Sequence, residues 1–358
     1  MKIGLILPGN VWFCPYVHIY TQILDEQKAD YDIISWNRDG SENQRLQFDK
    51  QYKSNGRLSK IYPYLRYASY IRKTIREKHY DKLIVFGPQL AIFINRFLAK
   101  YYKGRYIFDY RDLSIEQKSY FKHPFQRVLR NSYVNVISSP GFKKCLPSGF
   151  EYLLSHNFNV NAVREALAGG GDESEVRSST TTPINVLTIG GIRDYSSNIE
   201  VVKALANKKG FSLQFVGKGE ASEMIEEYVS HHSIENVKFE GYYPKEKEAG
   251  YIRQSSFLNI FYPRIITHDT ALSNRFYNAL IYRKPMIVTA DTTQGDYVKK
   301  HHLGLSLTDC DNLDIQLSEY LSTMDYDAFS HRCNELLREF LRDYDILKSR
   351  VIDFLSIP

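Results

Sequence analysis

Twice along its length this chain alternates short apolar runs with longer amphipathic ones, and few architectures accommodate that pattern. The first round reads KIGLILP, YDIISW, KLIVFG, RYIFDY, VNVISSP and EYLLSHN, with helical periodicity expected near 17–28, 61–78, 90–102 and 124–131. A polar stretch, AGGGDESEVRSSTTTP (168–183), then has nothing to bury. After it the alternation restarts with INVLTIGG, FSLQFVGKG, VKFEGYY, FLNIFYP and PMIVTA. Short apolar strands separated by helices are what a parallel sheet covered on both faces requires. The expected class is therefore α/β, with two Rossmann-like, doubly wound parallel-sheet domains facing a cleft. The last stretch, DAFSHRCNELLREFLRDYDILKSRVIDFL, repeats apolar residues at helical spacing and is expected to pack across both domains. The expected division is an N-terminal domain over 1–165, a polar linker over 166–183, a C-terminal domain over 184–335, and a terminal helix over 336–358 returning to the first domain.

Charge is distributed unevenly between the halves. Residues 1–160 carry 25 Lys and Arg against 13 Asp and Glu, whereas the remainder carries 22 against 28. A basic half facing an anionic partner is one consequence, and an acidic membrane surface is the expected partner; the alternative is a solvated, solubilising surface. The stretch IYPYLRYASYIRKTIREKHY, with Tyr and Leu on one face and cations on another, is either an ordinary surface helix or the part that leans on such a membrane. No nucleic-acid motif accompanies the basic charge. Cys14, Cys145, Cys310 and Cys333 are scattered without metal-ligand or framework spacing, so reduced thiols in a cytoplasmic protein, peripheral on the inner face of the membrane, are expected. The opening apolar run stops at Pro8, Gly9 and Asn10, which reads as a first strand rather than a signal peptide.

In this fold ligands bind at the carboxyl ends of the strands, so the turns there matter most. Three turns in the second half carry glycine: Gly190-Gly191 with Arg193, Gly217-Lys218-Gly219, and Gly241 before Tyr242 and Tyr243. Glycine there admits close approach of backbone N–H groups to phosphate oxygens, although tight turns need glycine anyway. The segment SNRFYNALIYRKPMIVT (273–289) offers Ser273 or Asn274 as a helix N-cap, Arg275 and the nearby Arg264 as cations for a diphosphate, and Asn278 one turn on for a sugar or ribose hydroxyl. Pro285 ends the helix before the next strand. In the first half, FDYRDLS places Asp109, Arg111 and Asp112 at a strand end. A carboxylate there can orient or deprotonate a hydroxyl and Arg111 can meet an anionic group, unless Asp and Arg simply pair to hold the loop.

These residues carry a resemblance. From INVLTIGG through NVKFEGYY and SNRFYNALIYRKPMIVT to HHLGLSL, the chain resembles the donor domain of GT-B glycosyltransferases, most like family 4 enzymes of bacterial capsular and exopolysaccharide assembly. The first half is similar more loosely, through the opening strand with Gly9 and Asn10 and through FDYRDLS. The resemblance implies a hexosyltransferase that moves a sugar from a nucleotide diphosphate sugar, a UDP-sugar by expectation, to a hydroxyl of a glycan or lipid-linked oligosaccharide. It implies retention of configuration, with Arg193 neutralising the diphosphate and Tyr242 and Tyr243 packing on the base. No cofactor or obligatory metal is expected, and no D-x-D stands at a suitable strand end. The chain departs from the family pattern in places: Asn278 stands where the ribose-binding acid is usual, Thr270 or Asp269 where its partner glutamate falls, Arg283 where glycine precedes Lys-Pro, Asn198 where a lysine is common, and Arg111 near a usual histidine. Two other readings stay open: a catalytically silent partner subunit, and a sugar-nucleotide epimerase.

Overall fold

Consecutive residues of a strand point to opposite faces, so a strand can be apolar throughout only where both faces are covered. β4 (Lys82–Phe86), β5 (Tyr106–Tyr110) and β6 (Val134–Ile137) meet that condition, with every residue buried. The computed structural model, which describes residues 1–52, 57–169 and 183–357, sets them at the centre of a parallel sheet. It also contains β1 (Lys2–Ile6), β2 (Asp30–Trp36), β3 (Leu46–Phe48) and β7 (Tyr152–Leu154), in the order β3-β2-β1-β4-β5-β6-β7. The edge strand β3 went unanticipated; three residues carry no legible period. Right-handed crossovers place the helices Arg57–Lys78, Pro88–Tyr101 and Lys122–Asn131 on one face, while Val17–Glu26, whose connection runs the other way, lies on the opposite face.

The second sheet has the order β10-β9-β8-β11-β12-β13, all parallel, from β8 (Ile184–Ile189), β9 (Phe211–Val216), β10 (Val237–Glu240), β11 (Phe257–Ile260), β12 (Met286–Thr289) and β13 (Gly304–Leu307). One face of its core joins Val186, Leu213, Phe215 and Phe257 to Val202 and Ile225 from the covering helices. The order reverses direction between β8 and β11, which is where such sheets open a crevice at their carboxyl edge.

The chain forms two compact units, Met1–His156 with Arg342–Pro358, and Asn157–Leu341. The expected linker at 166–183 lies mostly outside the described residues. The segment ahead of it already packs with the second unit: Phe158 meets the Tyr277 ring at 5.7 Å, and Arg283 donates to the Ala166 carbonyl at 2.7 Å. The long helix Tyr326–Ser356 serves both units in turn. Within the first, Lys348 pairs with Glu26, His156 faces Asp343, and the buried Lys82 ammonium donates to the carbonyls of Phe354, Leu355 and Ile357. A cation at a helix C-terminus satisfies carbonyls that have no intrahelical partner. That explains a lysine at the start of an apolar strand.

Candidate functional site

At the carboxyl edge of the first sheet, all but Asp112 of the residues singled out from the sequence are buried. Asn10 is buried; its amide donates to Asn37 and Asp39 and its oxygen accepts from the Arg38 N–H at 3.0 Å, so it brackets the loop after β1. Gly9 lies beside Arg38. Asp109 is 0% exposed. Its Oδ1 accepts from Arg111 Nε at 2.5 Å, and its Oδ2 from Arg111 Nη2 at 2.6 Å and Tyr20 Oη at 2.5 Å. Arg111 gives two more donors to the Ser155 carbonyl and hydroxyl, both at 2.9 Å, and its guanidinium lies over the Tyr16 ring. Burial works against the Arg111 charge, but Asp109 beside it more than compensates and raises its pKa. The expectation that Asp109 and Arg111 reach substrate is corrected on this geometry: neither has a free face, and the bidentate pair holds the strand end. Asp112, the next acid, is exposed.

The carboxyl edge of the second sheet is built from interlocked loops. Gly190 N donates to Val216 O, Ile192 N to Lys218 O, and Gly217 N to Glu240 O, so three successive loops continue the ladder beyond their strands. A Cβ on Gly217 would stand 2.1 Å from Gly190 O, and one on Gly219 2.1 Å from Ile192 O. Those glycines are required by loop-to-loop contact, a structural demand of the kind weighed beside ligand approach. Gly190, at φ +95°, meets nothing within 4 Å of its added Cβ, and Gly191, Arg193 and Lys218 are exposed.

Ser273, not Asn274, caps the helix Asn274–Ile281: its Oγ accepts from Phe276 N, and its own N–H and hydroxyl donate to Gln294 Oε1. Asn274 instead accepts from Asn157. At the other end Arg283 takes a left-handed φ of 50°, with its N–H on Leu280 O and the Lys284 N–H on Ala279 O, the pairing that closes a helix of this kind. Arg275 corrects a second expectation. It is buried, and its guanidinium donates to the carbonyls of Ile189, Asn259 and Gly191. It ties β8 and β11 together and fixes the Gly191 peptide instead of presenting charge to a ligand. Arg264 is half exposed and engaged with Asp269 at 2.9 Å and, more distantly, Asp291.

Asn278 brings in a residue that no motif indicated. Its amide donates to Glu248 Oε1 at 3.1 Å; Tyr243 Oη donates to Glu248 Oε2 at 2.7 Å, and Lys245 also reaches the carboxylate. Burial, followed by the bond to Glu248, raises the Tyr243 pKa. Tyr242, by contrast, is 88% exposed. A carboxylate thus sits beside Asn278, supplied from thirty positions earlier in the chain. A second unanticipated pair is His268, 3.3 Å from Asp194 and stacked on Tyr262. Asp194 adopts φ 58° in the loop that Asn198 brackets through the Arg193 and Asp194 carbonyls. Among the described residues no cluster of three or more His, Cys, Asp or Glu is arranged to hold a metal, and no helix is long and apolar enough to cross a membrane.

No family model matches the chain, and no curated protein matches its sequence. Solved structures do match. A sucrose-phosphate synthase from Thermosynechococcus elongatus is similar over 99% of both chains, at TM-score 0.71 and 13% identity. Anabaena HepE in complex with UDP covers 99% of this chain and 100% of its own, at TM-score 0.64 and 12% identity. The lipopolysaccharide outer core galactosyltransferase WaaB, in its apo form, covers 97% and 100% at TM-score 0.63 and 15% identity. At such identities likeness speaks for architecture, and the chain has the GT-B fold of glycosyltransferases.

Proposed function

We propose that this protein transfers a hexose-type sugar from a UDP-sugar to a hydroxyl of a glycan or lipid-linked oligosaccharide, with retention, in polysaccharide assembly at the cytoplasmic face of a membrane carrying acidic lipid. The observation that carries the reading is the carboxyl edge of the second sheet. There an open Gly190-Gly191 turn, the exposed Arg193 and Lys218, and the Tyr243–Glu248–Asn278 cluster stand on the loops after the strands and the helices that follow them. UDP is the favoured nucleotide because HepE, of the same fold, was solved with it.

In this reading the diphosphate lies against the Gly191 loop, where Arg193 and Lys218 balance the charge that grows on the leaving group. The ribose hydroxyls donate to Glu248 and meet Asn278, with the exposed Lys245 swinging aside. Carboxylate and amide oxygens suit a diol, which offers two O–H donors. Tyr243, and Tyr242 beyond it, flank the base. Arg275 acts as a positioning residue, holding the loop against which the phosphates rest. In the first unit Asp112 is the carboxylate able to meet an acceptor hydroxyl, on a strand end fixed by Asp109 and Arg111.

The test is turnover: incubation with UDP-glucose and other UDP-sugars, following UDP release and the fate of the sugar. Release that rises with a lipid-linked or free glycan acceptor supports transfer. A changed sugar configuration without UDP release would point to epimerisation, and UDP-sugar binding with neither reaction to a silent partner subunit.

A further inference from the structure

The two faces of the first sheet differ sharply in charge. The helices Arg57–Lys78, Pro88–Tyr101 and Lys122–Asn131 pack side by side on one face and together carry twelve Lys and Arg against a single acid, Glu77. On the other face, Val17–Glu26 and the terminal 342–358 segment carry three cations against five acids. A solubilising surface has no need to sort its charges in this way. Arg66, Lys73, Arg76, Arg96, Lys100, Lys122 and Arg130 are all exposed, and Lys73 reaches Glu77 only at 3.7 Å in a solvent-exposed pair.

Apolar side chains stand among these cations. Ile61, Tyr62 and Leu65 are 41, 54 and 49% exposed at adjacent positions of the first helix, and Tyr120, just ahead of the third, is 65% exposed. The 22-residue first helix is about 33 Å long at ~1.5 Å per residue, so the three side by side offer a broad surface rather than a groove. Phosphates of a nucleic acid would satisfy the cations but leave Ile61 and Leu65 without a purpose. A bilayer interface satisfies both, because aromatic and aliphatic groups settle at the headgroup level while Lys and Arg lie over lipid phosphates.

We infer that this three-helix face docks on a bilayer containing anionic phospholipid. Ile61, Tyr62, Leu65 and Tyr120 enter the headgroup region, and Arg66, Lys73, Arg76, Lys100 and Lys122 supply the electrostatic attraction. The inference rests on the membrane partnership in the proposed function and names its surface; it does not depend on the donor chemistry, and the two readings fail separately.

The experiment is co-sedimentation of the full chain with vesicles of phosphatidylcholine alone and of phosphatidylcholine mixed equally with phosphatidylglycerol. Pelleting with the anionic vesicles alone, reversed by about 0.5 M salt, is expected. Arg66→Glu/Lys73→Glu/Arg76→Glu should weaken partitioning at least about a hundredfold, at roughly 1 kcal/mol per cation near the surface. Arg342→Glu/Arg350→Glu, on the opposite face, should leave it intact. UDP titration of the same variants reads the donor site separately, and Ile61→Ser/Leu65→Ser provides a second disruption should the triple variant misfold. Equal pelleting with neutral and anionic vesicles, an undiminished triple variant, or capture of an RNA oligonucleotide at a salt concentration where anionic vesicles no longer bind would each overturn the inference.

Discussion

Replacing Arg111 by Met, Asp109 by Asn, or both separates a structural ion pair from a catalytic one. In the native protein the Asp109 carboxylate receives two bonds from Arg111 and one from Tyr20, with no water access. Arg111→Met leaves a buried carboxylate with Tyr20 alone, and removing one partner of a buried pair costs about 3–5 kcal/mol. Asp109→Asn keeps the shape but sets an amide against a guanidinium, at a comparable cost. The double variant no longer holds an unpaired charge, so its loss should fall well short of the sum, with a coupling of roughly 2–3 kcal/mol. Both tryptophans lie in the first unit and Trp36 is buried there, so tryptophan emission during urea unfolding reads that unit by itself. At an m-value of about 2 kcal/mol/M, each single variant should lower the midpoint by roughly 1.5–2.5 M. Single variants that keep the native midpoint while losing turnover would refute the positioning role and return Asp109 to the chemistry.

Four further outcomes follow from named contacts. Gly217→Ala drives a Cβ into the Gly190 carbonyl and should destabilise the second unit by several kcal/mol, whereas Gly250→Ala, inside the helix Glu248–Gln254 and facing open space, should stabilise it by about 0.5–1 kcal/mol; thermal melts of the two variants decide it. Glu248→Ala should weaken UDP binding by roughly ten- to a hundredfold, the worth of charged hydrogen bonds at about 1.5–3 kcal/mol, while leaving UMP and UDP equally affected because the phosphates are bound elsewhere. Arg275→Met strips the donor from three carbonyls and should lower the melting temperature more than Arg193→Met, which should instead weaken UDP without destabilising the fold. Burial pushes the Cys310 and Cys333 thiols up to about 12 from an ordinary 9.0. Between those values the unfolded chain has released protons that the folded chain keeps, so the stability these thiols confer is complete below about pH 9 and is lost as pH rises towards 12. Urea midpoints followed by circular dichroism should fall over that range, and less steeply in Cys333→Ala.

The sheets were legible because a doubly covered strand must be apolar throughout: KLIVF, YIFDY and VNVI could be read directly, and LQF at β3 could not. A cap at Ser273 or Asn274 was legible from residue type and place, and the structure selects Ser273. Side-chain direction was not. Arg275 follows the cap in the first turn of its helix and reads as a phosphate ligand, yet its guanidinium turns back onto three carbonyls. Asp109 near the end of β5 and Arg111 just past it are two positions apart, and their pairing was foreseen as one of two alternatives; Tyr20 and Ser155, which complete it, come from distant segments. The same limit hid Glu248. Nothing local distinguishes it from Glu246 or Glu240, and only the fold carries it to Asn278. The glycines at 217 and 219 were seen, but the reason for them, contact with the neighbouring loop, is a tertiary fact.

Calorimetric titration of the folded protein with UDP, GDP, dTDP and CMP, followed by the matching sugar nucleotides, tests the donor reading most directly. Saturable binding of UDP and a UDP-sugar, weakened by Glu248→Ala and Arg193→Met, is the predicted result. Absence of heat with every nucleotide, in a sample that unfolds cooperatively and keeps its Trp36 emission, would contradict it.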